Sequence, residues 1–118
     1  MPGEIVPHAD WYDFEAKYGE GGMELVVPAG ISETAQARVQ ELAVDVFELS
    51  GCSGLARCDF FVDGSEVIVN ELNTLPGFTE TSVYGKLLEA SGIAYPELCD
   101  RLVKLGVERY KRMRDYEF

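Results

Sequence analysis

Basic residues are scarce in this chain, histidine occurs once, cysteine is sparse, and no long apolar run is present. Ten lysines and arginines stand against 21 aspartates and glutamates in 118 residues, a formal net charge of −11. That balance disfavours binding nucleic acid through a basic surface. No stretch approaches the roughly 20 apolar residues that cross a bilayer, and Met1-Pro2-Gly3-Glu4 has neither a basic region nor an apolar signal core. Neither membrane association nor export is expected. Cys52, Cys58 and Cys99 form no Cys-x-x-Cys pair, which argues against a secreted disulfide framework or a zinc knuckle and for a reducing cytoplasm. His8 has no partner by spacing and reads as a surface or loop residue. What the chain does hold is 47% hydrophobic and 11% aromatic residues, enough for the core of one modest globular domain.

Glu4 to Pro7 reads as the end of an extended segment, and Met23 to Val27 as a short β-prone run stopped by Pro28-Ala29-Gly30. Between them, residues 8–22 carry aromatics without a clean period, and Gly19, Gly21 and Gly22 suggest a long mobile loop. Ser32 suits an N-cap, and Val39, Leu42, Ala43, Val46 and Leu49 recur at helical spacing until Gly51. Two strands follow, Leu55 to Val62 and Val67 to Leu72, around the hairpin chemistry of Asp63-Gly64-Ser65-Glu66. A helix is predicted over Val83 to Ser91, ending at Gly92, and another from Pro96 in its first turn to about Met113. Lys104, Arg109, Lys111, Arg112 and Arg114 fall toward the carboxyl end of that last helix, where the macrodipole favours them, so they read as a solvated helix end.

Arg57, Asp59, Glu71 and Asn73 stand out in two otherwise apolar strands. Alternation puts Arg57 and Asp59 on one face of the first strand and Glu71 and Asn73 on one face of the second. Whether the two faces coincide depends on register. A two-residue turn at Gly64-Ser65 pairs Asp63 with Glu66 and throws Asp59 and Glu71 onto opposite faces. A three-residue loop of Gly64, Ser65 and Glu66 pairs Asp63 with Val67 and sets Asp59 opposite Glu71. We therefore expect an odd-length loop. The resulting set, two carboxylates and one amide oxygen beside an arginine, is what a hard cation such as magnesium takes. The competing reading is an Arg57 to Glu71 surface salt bridge with Asp59 and Asn73 solvated.

Thr74-Leu75-Pro76-Gly77-Phe78-Thr79 is a compact turn, and Thr79, Thr81 and Ser82 can cap the helix after it. A helix start with hydroxyls and free N–H groups seats anions, although turn and cap chemistry alone also accounts for these residues.

Taken together, Arg57-Cys58-Asp59-Phe60 and Asn70-Glu71-Leu72-Asn73-Thr74-Leu75-Pro76-Gly77-Phe78-Thr79, preceded by Tyr12-Asp13-Phe14-Glu15-Ala16-Lys17-Tyr18 and Val27-Pro28-Ala29, closely resemble the D-alanine–D-alanine ligase family. The resemblance runs in order over nearly the whole chain and to the carboxyl-terminal part of that family. It implies an α+β fold, the carboxyl-terminal subdomain of an ATP-grasp enzyme with an antiparallel sheet and flanking helices, incomplete relative to the full enzyme. The implied organisation is one partial domain over residues 1–118, with an active-site loop at about 8–22, a metal-binding hairpin at about 55–73 and a substrate-binding turn and helix start at 74–83. The implied activity is an ATP-dependent ligase that joins two D-alanines through an acyl phosphate for peptidoglycan precursors, hence for cell-wall biogenesis and cell shape, in the cytoplasm.

By the same resemblance, Asp59, Glu71 and Asn73 match the metal ligands, for magnesium or manganese and two ions per complete site, with Glu71 able to bridge the ions and so lie against the nucleotide phosphates. Arg57 matches the arginine facing the transferred phosphoryl group, Gly77 the glycine whose N–H serves the oxyanion, and Ser82 with Val83 the seat of the second D-alanine carboxylate. Lys17 matches a phosphate-contacting lysine on the covering loop and Tyr18 its neighbouring tyrosine, of the dipeptide-forming type. Cys58 faces away from these residues and reads as a small core residue, as do Cys52 and Cys99.

The resemblance lacks the family's amino-terminal part, so residues for the first D-alanine, the adenine and much of the triphosphate are expected to come from elsewhere. The expected partners are therefore D-alanine, ATP and that missing part, with a homodimer in the full-length enzyme. The 118 residues alone are expected not to turn over, and an uncovered apolar surface is expected to favour self-association. The alternatives are another ATP-grasp carboxylate–amine ligase, such as one forming D-alanyl-D-lactate, and a non-catalytic binding or dimerisation module on the same scaffold.

Overall fold

The structure is a computed structural model that describes residues 1–7 and 23–114. The loop expected over 8–22, with His8, Lys17 and Tyr18, lies outside the described residues. Strands β1 (Glu4–Pro7) and β2 (Met23–Val26) are followed by helix α1 (Glu33–Leu49), strands β3 (Arg57–Asp63) and β4 (Glu66–Asn73), and helices α2 (Val83–Ala90) and α3 (Tyr95–Arg114). The class is α+β, as expected. All strand pairing is antiparallel, and the described strands form two separate two-stranded sheets, β1 with β2 and β3 with β4.

Backbone and side-chain hydrogen bonds tie the first sheet to the start of α1. Glu4 Oε2 accepts from Gly30 N at 3.0 Å, Ala29 N donates to Pro2 O at 3.0 Å, and Gln36 Nε2 donates to Ala29 O at 3.3 Å. Ser32 caps α1 as predicted, its Oγ accepting from Ala35 N at 3.2 Å. Gly51, just past the helix, takes φ +64, a conformation that favours glycine. Ala35 and Val39 of α1 are buried, and Leu42, Ala43 and Val46 half-buried. The helix packs this stripe on the β3–β4 hairpin. Leu49, expected on the same stripe, is instead 88% exposed, because the apolar stripe ends a turn before the helix does.

The hairpin corrects one expectation. Its loop is the two-residue turn Gly64-Ser65, closing the pair Asp63 with Glu66, and not the odd-length loop. Gly64 at φ +59 followed by a residue without positive φ fits a type II′ turn, whose twist matches that of the flanking strands. From the turn the ladder runs Val62 with Val67, Phe61 with Ile68 and Phe60 with Val69. Asn70 is then an extra residue, a β-bulge, and beyond it Asp59 faces Glu71, Cys58 faces Leu72 and Arg57 faces Asn73. The change of parity assigned to the loop thus takes place inside β4, and it brings the two polar faces together all the same.

Ser82 caps α2 and Gly92 follows it at φ +86. Gly3 lies against Leu87 of α2, whose side chain a Cβ there would push aside, and the Met1 amine donates to Ser91 Oγ at 3.0 Å. Helix α3 packs on α2, with Leu98 buried, while Val103, Val107, Tyr110 and Met113 on its far half are exposed. Ion pairs one turn apart, Glu97 with Arg101 and Asp100 with Lys104, lace its surface. Among the described residues, no helix is long and apolar enough to cross a membrane.

Candidate active site

The bulged hairpin has two unlike faces. Cys58, Phe60, Val62, Val67 and Leu72 share the face toward α1 and are half-buried. Cys58 Sγ lies 3.8 Å from Ala43 O, and burial, with the Asp59 charge and Cys52 adding to it, pushes its thiol up from the ordinary value. A raised thiol is a poor nucleophile at neutral pH, which agrees with its reading as a core residue.

The open face carries Arg57, Asp59, Glu71 and Asn73, which share one side of the ladder. Arg57 forks onto Asp59, with Nε 2.7 Å from Oδ1 and Nη2 2.8 Å from Oδ2, and the same Nη2 lies 3.5 Å from Glu71 Oε1. Glu71 would repel Asp59 across the pair were the guanidinium not shared between them. The Arg57 and Asp59 side chains are 29% and 34% exposed, so their bidentate contact is partly shielded from water, whereas Glu71 at 55% is open. The Arg57–Glu71 contact weighed from the sequence is thus present, but Asp59, left solvated in that reading, is the closer partner.

Asn73 Oδ1 accepts from Leu75 N at 2.9 Å, an Asx turn that starts the following segment and leaves the oxygen a second lone pair. No cluster of three or more His, Cys, Asp or Glu residues is present among the described residues. The fit of a metal therefore rests on the chemistry of two carboxylates plus one amide oxygen. Such all-oxygen, low-count sets suit magnesium, which completes its shell with water and phosphate oxygens.

The turn after β4 is held from two sides. Ser82 Oγ accepts from Gly85 N at 3.2 Å and from Thr79 N at 3.3 Å, and donates to Thr79 O at 2.7 Å. Phe78 stacks in tilted fashion on Tyr84 and Tyr95, with ring centroids 6.1 and 5.4 Å apart, and Tyr95 Oη donates to Phe78 O at 3.4 Å. Gly77 sits between these anchors with ordinary φ; a side chain there would meet nothing closer than Ser82 Cβ at 3.9 Å. Its backbone is therefore approachable from outside, which is what an N–H donor to a ligand needs. Ser82 and Val83 stand together at the start of α2.

Two features were not read from the sequence. Phe61 and Ile68, exposed by 63% and 51%, are cross-strand neighbours on the open face and extend the charged cluster as an apolar floor. The period-2 alternation carried this signal, but it was hidden while the parity of the hairpin was assigned to the loop. Tyr95, as anchor of the turn, depends on a contact 17 residues away in sequence and had no local signal. A depression of about 350 Å³ lined by Ser50, Cys52, Leu55, Thr74 and Arg109 adjoins the turn but includes none of the four hairpin residues. Arg109 there donates to Ser53 Oγ and Arg114 lies over the Tyr110 ring, as expected of a solvated helix end.

Comparison with known proteins gives a consistent result. A family model described as "D-ala D-ala ligase C-terminus" matches residues 1–104. The curated D-alanine--D-alanine ligase B of Clostridium tetani (strain Massachusetts / E88) is 50% identical over 109 residues, covering 91% of this chain and 30% of its own length. The solved D-alanine-D-alanine ligase from Coxiella burnetii has a TM-score of 0.80 at 39% identity, covering 97% of this chain and 29% of that one. The D-alanine--D-Alanine Ligase from Bacillus anthracis, solved in complex with ATP, has a TM-score of 0.75 at 28% identity, covering 92% of this chain and 34% of that one. The chain thus spans about a third of the length of the relatives it matches.

Proposed function

The chain belongs to the D-alanine–D-alanine ligase family, whose carboxyl-terminal domain it matches, and on that premise we propose that it supplies the carboxyl-terminal side of an active site joining two D-alanines with ATP. The observation that carries this reading is the Arg57–Asp59–Glu71 cluster, set on one face by the bulge with Asn73 opposite Arg57 and the Ser82-capped turn beyond. In this reaction one D-alanine carboxylate takes the γ-phosphoryl group as ADP leaves. The amine of the second D-alanine then attacks the carbonyl carbon, and inorganic phosphate leaves.

Each group has a physical task. Arg57 turns a planar cation toward the phosphoryl oxygens, where a fork of N–H donors stabilises charge as it spreads. Asp59, Glu71 and Asn73 would hold magnesium or manganese, two ions in the complete site, whose charge offsets that of the phosphates. The Gly77 N–H faces the oxygen that becomes negative when the amine attacks. Ser82 and Val83 hold the carboxylate of the second D-alanine at the positive end of α2. Phe61 and Ile68 offer the apolar surface on which a flat base can lie. For Lys17 and Tyr18, which lie outside the described residues, the proposed tasks are contact with phosphate and exclusion of water from the acyl phosphate. The product feeds peptidoglycan precursor synthesis in the bacterial cytoplasm, and the full-length enzyme works as a homodimer.

The remainder of the site comes from the family's amino-terminal part, so the 118 residues do not turn over by themselves. The test joins this chain to the remaining part of the Clostridium tetani relative and measures phosphate release and dipeptide from ATP, magnesium and D-alanine. Dipeptide from the joined protein and none from the chain alone is the expected result. A folded joined protein that makes no dipeptide refutes the assignment, and leaves a binding or dimerisation module.

A further inference from the structure

The arginine assigned to phosphoryl transfer and a carboxylate assigned to the metal are bonded to each other. Both Asp59 oxygens accept from Arg57, at 2.7 and 2.8 Å, and the same guanidinium leans on Glu71 at 3.5 Å. Arg57 therefore occupies the oxygens a metal needs, and Asp59 holds the donors a phosphoryl group needs. We propose that Arg57 is a resident counter-cation on the Asp59–Glu71 carboxylates, displaced when a divalent cation binds, so that metal entry and release of the guanidinium toward phosphate are one exchange. This rests on the metal reading given above and goes beyond it, since it concerns what holds the site before metal arrives.

The geometry gives reasons for such an exchange. Asp59 and Glu71 are directly opposed across the strands, where like charges repel, and the guanidinium lying between them offsets that repulsion. The fork is planar and bidentate, about twice as strong as neutral hydrogen bonding, yet only partly shielded, so it is strong enough to order the site and weak enough to yield. Displacement is a competition: the apparent affinity for metal falls by the fraction of time the carboxylates are held by Arg57. A phosphate group that captures the freed guanidinium removes that competitor, and by reciprocity metal and nucleotide then favour each other's binding. The pairing also offsets one of the cluster's two negative charges on an acidic chain before any ligand is present.

The experiment is a titration of Mn²⁺ alone into the 118-residue chain, read by loss of the free-ion electron paramagnetic resonance signal, for the wild type, Arg57→Lys and Arg57→Met. Lysine keeps the charge but cannot fork onto both Asp59 oxygens. The expected result is tighter Mn²⁺ binding in both variants, by about tenfold in Arg57→Met and less in Arg57→Lys. Mn²⁺ should also raise the melting temperature more in the variants than in the wild type, since it replaces a missing counter-cation. Equal or weaker Mn²⁺ binding in folded variants overturns the exchange while leaving the metal reading intact. No Mn²⁺ binding to any of the three refutes the metal reading itself and the exchange with it. Should Arg57→Met fail to fold, Arg57→Lys decides the same question.

Discussion

Along the open face of the β3–β4 hairpin, the half near the strand ends and the half near the turn use opposite chemistries. The first gathers Arg57, Asp59, Glu71 and Asn73; the second exposes Phe61 and Ile68. Between them lies the Asn70 bulge, where the pairing changes parity. The turn sets the register of the apolar half and the bulge that of the charged half, so one short ribbon presents a charged and an apolar surface side by side. With a divalent cation on its carboxylates, as proposed above, that division would suit a ligand with a polyanionic end and a flat, poorly solvated end.

Substitutions on the two sides of Asn70 should therefore separate. The largest effect is expected from Arg57→Ala in the joined ligase, with turnover lowered by about 10³-fold, the range of a lost phosphoryl-facing arginine, as read by phosphate release. Phe61→Ala, in the apolar half, should raise the ATP concentration needed for half-saturation by about tenfold, one stacking contact, and leave Mn²⁺ affinity unchanged. Equal losses of both properties from both substitutions would dissolve the distinction.

Deleting Asn70 tests the boundary itself. Without the extra residue, the register that starts at the turn runs straight on and still puts Glu71 opposite Asp59, so Mn²⁺ affinity should stay within about threefold. Loss of Mn²⁺ binding would show that the kink of the bulge, and not merely its parity, aims the carboxylates. At the turn, Tyr95→Phe removes one hydrogen bond to Phe78 O and keeps the ring contact. With about 1 kcal/mol at stake, the half-saturating concentration of the second D-alanine should rise a few-fold with little change in turnover. Smallest is the signature of the inner face: alkylation of Cys58 should be slow at neutral pH and still accelerate above pH 9.0, the ordinary thiol value, because burial holds its proton on.

Much of this protein was legible from local signals. Ser32 and Ser82 as caps, Gly51 and Gly92 as stops, and the apolar spacing of α1 depend on neighbours within a turn or two, so the helices fell where the residues placed them. The chemical oddity of Arg57, Asp59, Glu71 and Asn73 in apolar strands was equally visible. Their meeting on one face was expected, but through the wrong device, because a bulge leaves little mark in composition while a loop of Gly, Ser and Glu invites either length. Leu49 was placed on the apolar stripe of α1 by its period alone, and the period does not say where the partner surface ends.

What the sequence by itself determined is the set of secondary elements, the carboxylate, amide and arginine groups of the site, and the family to which these motifs point. Local backbone preference and side-chain chemistry are carried by each residue wherever it sits. Only the tertiary structure decided that Asn70 is the residue left out of the ladder, that Arg57 forks onto Asp59 rather than Glu71, and that Tyr95 anchors the turn before α2. Those outcomes depend on competition among non-local contacts whose energies differ by about a kcal/mol, and that competition is settled only when all the partners are in place.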